Sequence, residues 1–397
     1  MSALKSVSEN LIAPHIANLP PSGIRRFFDL VNSMDDVISL GVGEPDFTTP
    51  WTIRESGIYS LERGHTSYTS NLGTPALRRE ICNYVARDYN CHYDPKNECI
   101  VTIGVSEALD IALRMLISPG DEVIYTEPCY VSYPAEITMA HGVPVPVTTR
   151  VENAFAVEPE DIARAITPRT KAILLNFPCN PTGAVMPPDK LRAVAELAQK
   201  HDLAVLTDEI YSELNYDGDH LSIASLPGMK ERTIFLHGFS KAFAMTGWRM
   251  GYVCAPPAID DAMFKIHQYG IMCAPIMSQY AAIEALKDGL SDGFSMVEEM
   301  RDSYDKRRKF VLHSLKEIGL HCFEPQGAFY AFPSVKSTGL PAEQFANELL
   351  ARQKVAVVPG NAFGQFGENN VRISYATSMN ALSEAFERMS EFLKTLC

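Results

Sequence analysis

Between residues 98 and 256 the chain alternates β-branched or apolar runs with helix-patterned segments, and this alternation limits the available folds more than any other feature. Seven runs stand out, at 99–103, 122–125, 143–147, 172–177, 203–206, 233–236 and 250–254. Short strands joined by helices long enough to cross a sheet predict a large α/β domain built on a mostly parallel, seven-stranded sheet. Leu191, Val194, Ala195 and Ala198 repeat at i, i+3, i+4 and i+7 behind Pro187-Pro188-Asp189, which predicts an amphipathic helix between the fourth and fifth runs.

Beyond about residue 285 the pattern changes to a long charged helix at 296–318 and strand-like runs at 327–332, 355–358 and 371–375. A smaller α+β domain accounts for them. Residues 37–40 lie outside the main alternation, so the expected division is 46–285 for the large domain and 1–45 with 286–397 for the small one. An amphipathic stretch (Ile24, Phe27, Phe28, Leu30, Val31) precedes the 37–40 strand.

With 397 residues and 46% hydrophobic content, the chain can bury a large core and a second, smaller one. A net charge of -13 argues against a nucleic-acid partner, because phosphates call for clustered lysine and arginine. The first 18 residues include Lys5, Glu9 and His15 and hold no apolar run of signal-peptide length. No run reaches the roughly 18 apolar residues of a membrane span. The nine cysteines are widely spaced, with no Cys-x-x-Cys and no pair of nearby histidines, so reduced thiols in a cytoplasmic protein are expected, with no metal site.

In a parallel sheet of this kind, ligands bind outside the carboxyl ends of the strands. There the chain places Gly104-Val105-Ser106, Tyr130, Asn180, Asp208, Tyr211, Ser240 and Lys241. Lys241, among Phe243, Met245 and Trp248, is a partner in a buried ion pair, an amine with a lowered pKa suited to covalent chemistry, or a side chain whose head reaches water. Gly104-Val105-Ser106 joins a strand to a helix, where free amides attract an anion, although Ser106 could equally be a helix cap. Asp208 ends an apolar strand and needs a cationic partner there unless it caps a helix. Tyr211 is three residues on, and Asn180 lies in an Asn-Pro turn. Arg372 reads as a solvated strand arginine or a bidentate clamp for a carboxylate. Gly41-Val-Gly43-Glu-Pro-Asp46 fails as a dinucleotide loop because of Pro45 and Asp46, leaving Gly43 as a turn glycine or a point of close ligand approach.

These residues and their spacing resemble the class I/II aminotransferases, pyridoxal-phosphate enzymes of fold type I, over nearly the whole chain. Residues 238–251 match that family's Schiff-base lysine pattern, and Asn180-Pro-Thr-Gly183, Asp208-Glu-Ile-Tyr211 and Val371-Arg-Ile-Ser-Tyr375 follow in family order. Asn180 precedes Asp208 by 28 residues, Asp208 precedes Lys241 by 33, and Lys241 precedes Arg249 by 8. The resemblance implies that Lys241 binds the aldehyde of pyridoxal 5'-phosphate and moves the substrate proton, and that Asp208 keeps the ring nitrogen protonated. It also implies that Tyr211 and Asn180 bond the ring oxygen and Tyr130 stacks on the ring. Val105, Ser106, Ser240 and Arg249 would hold the phosphate, and Arg372 with Gly43 the substrate carboxylate. Tyr68 matches a tyrosine that reaches the phosphate from a neighbouring subunit, which implies a homodimer with shared sites.

There are two departures from the pattern. Gly238 stands where many relatives carry serine, which removes one phosphate contact, and Ser106 stands where some aspartate-preferring members carry lysine. Ser22-Gly-Ile-Arg25, Pro178-Cys-Asn-Pro-Thr-Gly183, His267-Gln-Tyr269 and Gly327-Ala-Phe-Tyr330 resemble the subgroup of aromatic, broad aspartate-type and acyl-diaminopimelate aminotransferases. The expected activity is therefore amino transfer to a 2-oxo acid such as 2-oxoglutarate from an aromatic L-amino acid or from a broad range that extends to acidic ones. A carbon–sulfur β-lyase would use the same lysine and fold. A non-catalytic effector sensor would need a basic DNA-binding domain, absent from the residues ahead of the main α/β region.

Overall fold

A computed structural model describes residues 11–396 apart from 22, 25–30, 32 and 33. Phe27, Phe28 and Leu30 of the expected amphipathic stretch lie outside the described residues, as do Lys5, Glu9, Ser22, Arg25 and Cys397.

All seven expected runs are strands of a single sheet. In chain order the strands are β1 Ile38–Ser39, β2 Cys99–Thr102, β3 Glu122–Glu127, β4 Val143–Thr148, β5 Thr170–Asn176, β6 Ala204–Asp208, β7 Thr233–Gly238 and β8 Gly251–Cys254. The large sheet runs β2-β8-β7-β6-β5-β3-β4. Its pairs are parallel from β7 through to β4, whereas β8 is antiparallel to both β2 and β7. The start of β8 therefore shares an edge with the ends of its neighbours, and Gly251 pairs with both Thr102 and Gly238. This reversal brings Arg249, two residues before Gly251, to the edge where the parallel strands stop.

The fully buried, Val/Ile/Leu-rich strands have helices on both faces, as a parallel sheet requires. Ile100, Val253, Leu236 and Ile234 pack in one layer with residues of the helices Gly104–Leu116 and Pro257–Gly270, while Cys99, Phe235 and Tyr252 pack with the helices Pro75–Tyr89 and Ile276–Asp292. The expected helix after Pro187 runs Pro188–Lys200 and buries Leu191, Val194, Ala195 and Ala198.

The long charged helix is Ser295–Glu317. The strand-like runs around it are shorter than their patterns suggest. They are β9 Tyr330–Ala331, β10 Val355–Ala356, β11 Val358–Pro359 and β12 Val371–Ser374. The left-handed backbone of Ala328 (φ 56°) interrupts the first run. The 355–358 run is divided between two sheets. Its first half, β10, pairs in parallel with β1, and its second, β11, pairs antiparallel with β12, which in turn pairs with β9. The β1–β10 pair joins the residues before the large sheet to those after it, and the loop 40–50 then passes over the edge where the site lies.

Candidate active site

Asp208 is the last residue of β6 and is buried. Its Oδ2 accepts the Tyr133 hydroxyl at 2.8 Å and its Oδ1 accepts the Ile210 amide at 3.2 Å. Burial raises the Asp208 carboxyl above the usual range, against the opposing pull of those two donors. Among the described residues Asp208 caps no helix and has no cation within ion-pair distance. The expected need for a cationic partner therefore stands.

Lys241 follows the end of β7 by three residues. Its Nζ donates to the Gly43 carbonyl at 2.6 Å and lies 5.6 Å and 5.7 Å from the ring centroids of Tyr211 and Phe329. Burial lowers its pKa to about 8, with Arg372 and Arg249 pushing the same way and Glu44 and Asp208 opposing. Of the three readings of Lys241, the lowered-pKa amine fits: among the described residues the ammonium has no carboxylate within ion-pair distance, and Lys241 lines the cavity.

Arg372 lies on β12 and is 2% exposed. Its Nη1 donates to Asn180 Oδ1 at 2.8 Å and its Nη2 to the Gly41 carbonyl at 2.6 Å, leaving Nε buried without a partner. The guanidinium carbon sits 4.5 Å and 4.7 Å from the ring centroids of Tyr330 and Phe363. This is no solvated arginine. It is a buried cation held by neutral carbonyls and aromatic faces.

A third cluster forms where β2 ends. The helix starts at Gly104 after Ile103, with no side-chain cap, so the capping role considered for Ser106 is not realised. Gly104, Val105 and Ser106 instead occupy the first turn, whose amides have no intrahelical acceptor. Gly104 has φ +70°, and a Cβ there would lie 2.6 Å from Arg249 Nη2. Arg249 is exposed at its tip and donates from Nη1 to the Thr246 carbonyl at 3.0 Å. Val105, Ser106, Arg249 and Ser240 line a cavity of about 360 Å³.

Lys241, Asp208, Arg372, Asn180, Tyr211, Tyr130 and Gly43 line the same cavity. Gly43 has an ordinary backbone conformation, but a Cβ on it would meet the Tyr330 hydroxyl at 2.7 Å, so close approach explains the glycine and a special turn does not. Tyr211 is buried, and its hydroxyl meets that of Tyr330 at 2.7 Å. Tyr68 is not brought to the cavity within the chain. It stands 81% exposed in the loop after the helix Trp51–Glu62.

Several lining residues escaped the sequence reading. Tyr133 follows Tyr130 by one helical turn, and their rings meet edge to face at 5.6 Å. Its spacing from Tyr130 was the available signal. Tyr330 ends the Gly327-Ala-Phe-Tyr pattern but had no assigned task. Glu44 and Glu136 also line the cavity, and burial, with Asp110 and Asp208 nearby, raises the Glu136 carboxyl to about 8. Among the described residues, no cluster of three or more His, Cys, Asp or Glu side chains is suited to a metal ion, and no helix is long and apolar enough to cross a membrane.

The sequence profile of the family described as aminotransferase class I and II matches residues 35–389. YugH of Bacillus subtilis is 55% identical over 382 residues, covering 96% of this chain and 98% of that one. An aspartate aminotransferase of Pyrococcus abyssi is 46% identical over 94% of this chain and 96% of its own. Among solved structures, an aromatic aminotransferase from Pyrococcus horikoshii superposes with a TM-score of 0.89 at 44% identity, covering 94% of this chain and all of that one.

Proposed function

The chain belongs to the class I and II aminotransferases, and from that premise we propose that it moves the amino group of an aromatic or broad range of L-amino acids to a 2-oxo acid, with pyridoxal 5'-phosphate held in the 360 Å³ cavity. One observation carries the reading. Lys241, Asp208 and Arg372 face a common cavity, and none has an oppositely charged partner within ion-pair distance among the described residues. Asp208 and Arg372 are buried and Lys241 half-buried, and charges so placed are ordinarily paired, so three that converge unpaired call for a ligand with complementary charges.

The residues fit that cofactor at three points. The first-turn amides of Val105 and Ser106, the Ser240 hydroxyl and Arg249 suit a phosphate. Asp208 suits a protonated ring nitrogen, and Lys241 suits an aldehyde. Tyr130 lines the wall where a ring would stack, and Tyr211 and Asn180 offer polar atoms to its substituent oxygen. When bound, the cofactor ring supplies an electron sink for the pair left at the substrate Cα.

The chain supplies the rest. The Tyr133 and Ile210 donors help to keep Asp208 ionised, as a carboxylate that would hold a protonated ring nitrogen must be. Lys241, with a pKa near 8, is basic enough to take the Cα proton and acidic enough to return it. Arg372, pinned by Asn180 and Gly41, would bind the α-carboxylate and so orient the donor in the cavity that Lys241 also lines.

The cations lining the cavity are Lys241, Arg249 and Arg372, each with a task above, so none of the described lining cations remains for a distal carboxylate. Tyr130, Tyr330 and Ile24 line the same space. This supports aromatic or broad donors over strictly acidic ones, while the names of the relatives support transamination over β-elimination. Single-turnover conversion of the lysine-bound cofactor to its amine form by aromatic, acidic, aliphatic and dibasic amino acids tests the choice. Aromatic donors should be fastest or level with the best, and a response confined to aspartate and glutamate would overturn the substrate reading.

The same proposal includes a cytoplasmic homodimer, the large domain at 46–285 and the small one at 1–45 with 286–397. The dimer is supported by exposed Trp51, Ile58, Tyr59 and Leu61 on one helix and by Tyr68 beside it, which then completes a phosphate site across the interface. A monomer at micromolar concentration in sedimentation would refute it.

A further inference from the structure

His237 is the penultimate residue of β7 and is 1% exposed. Its ring stacks with Phe235 at 5.9 Å and Tyr252 at 5.5 Å and takes no part in lining the active-site cavity. Both ring nitrogens are nevertheless committed. Nδ1 accepts the Gly238 amide at 2.7 Å, the geometry of an unprotonated nitrogen, while the pKa of the ring, against the lowering effect of burial, is raised by Glu213. Nε2 then bears the hydrogen and faces the Tyr89 hydroxyl and Ser212 Oγ, each at 3.0 Å, with Glu213 Oε2 at 3.3 Å.

The partners of Nε2 are themselves fixed. Tyr84 and Tyr89 both donate to Glu213 Oε1, and Ser212 Oγ donates to the Glu209 carbonyl at 2.7 Å. Ser212 directly follows Tyr211, and Lys241 lies three residues beyond Gly238. One imidazole therefore ties the turn carrying Asp208 and Tyr211 to the turn carrying Lys241 without touching the cavity. A buried histidine used only as filler would leave its nitrogens to chance partners, and an apolar ring of the same size would leave the Gly238 amide without an acceptor.

We infer that His237 is a positioning residue for Lys241: in its Nε2–H tautomer it holds the Gly238 amide, and through it the turn that aims the Lys241 amine. The inference rests on the reading of Lys241 as the cofactor-bearing amine.

Two substitutions separate the two halves of the contact. Asparagine is short enough to keep an acceptor near the Nδ1 position and loses the Nε2 contacts, whereas glutamine reaches the Nε2 position and leaves Gly238 unpaired. Affinity of the apoprotein for pyridoxal phosphate, and the pH titration of the lysine-bound cofactor's absorption, are measured for wild type, His237→Asn and His237→Gln. His237→Gln should bind about tenfold more weakly, the loss of one buried hydrogen bond, and titrate at a displaced pH. His237→Asn should stay within about twofold of wild type on the same scale. Equal values for the two variants, or a greater loss in His237→Asn, would overturn the inference.

If neither variant folds, as judged by thermal melting of the apoprotein, the nitrogen-15 shifts of the His237 ring in the wild type decide: an unprotonated Nδ1 at neutral pH supports the tautomer, and a protonated Nδ1 refutes it. Wild-type attachment of the cofactor at another lysine would defeat the Lys241 reading itself. Attachment at Lys241 without a split between the variants would defeat only the role of His237.

Discussion

The Tyr133 hydroxyl stands 2.8 Å from Oδ2 of Asp208, and both side chains are buried. The phenol stabilises the ionised carboxylate that faces the cavity, so its loss raises the Asp208 carboxyl further and favours transfer of the ring-nitrogen proton to Asp208. Tyr133→Phe should lower kcat roughly tenfold with little change in KM, the effect of one hydrogen bond to a charged group. The absorption titration of the lysine-bound cofactor should move to higher pH. A variant with wild-type kcat and titration would remove Tyr133 from the account.

Arg372 gives a different signature. Under the proposed function its target is the α-carboxylate that every amino-acid donor shares. Arg372→Lys keeps the charge but cannot keep both the bidentate face and the bonds to Asn180 and Gly41. A loss of about a hundredfold in kcat/KM, equal for aromatic, acidic and aliphatic donors, is expected for a broken charge-assisted pair. Steady-state kinetics across the donors checks it, and a loss confined to acidic donors would mean that Arg372 reads the side chain instead.

Lys241 sets a pH dependence. At a pKa of about 8, the free amine of the apoprotein grows as pH rises through that value, far below the range of an ordinary lysine. The rate of cofactor capture by apoprotein should therefore rise with pH and level off above about 8. Because the folded pKa is depressed, native stability also rises between about 8 and the unfolded value and is lost as pH falls through 8. Glu44 holds this pKa up, so Glu44→Gln should move the capture inflection to lower pH. Stopped-flow absorbance across pH tests both, and an inflection near 10 would show the amine to be unperturbed.

Gly238 has a packing reason to be glycine. A Cβ there would lie 2.9 Å from the Met250 carbonyl and 3.0 Å from the Gly251 Cα. Gly238→Ser should therefore destabilise the protein by about 1–3 kcal/mol through backbone displacement. Denaturant unfolding measures this. Equal stability together with tighter cofactor binding would mean that the missing phosphate contact matters more than the packing.

The seven strands were legible because each is a short β-branched or apolar run between helix signals, and period and punctuation are local properties of sequence. Asp208, Lys241 and Arg372 were legible as charged residues in apolar surroundings, and their motif spacing identified the family. What was hidden depends on contacts between distant segments. The 355–358 run looks like one strand, yet its halves pair with β1 and β12. Tyr330 explains Gly43 only because the 40–50 loop passes above its hydroxyl. Arg249 reaches the first turn at Gly104 because β8 runs against its neighbours. Tyr133 meets Asp208 across a helix-to-sheet gap, and nothing in a single tyrosine predicts where its hydroxyl ends.

Lys241 is the lysine on which the proposed function places the cofactor. Borohydride reduction of the holoprotein followed by proteolysis and mass spectrometry fixes the attachment site directly. The account predicts the added pyridoxyl phosphate on the peptide containing Lys241, and its absence from Lys241→Ala together with loss of 2-oxo acid formation. Attachment to any other lysine, or undiminished 2-oxo acid formation by Lys241→Ala, would contradict it.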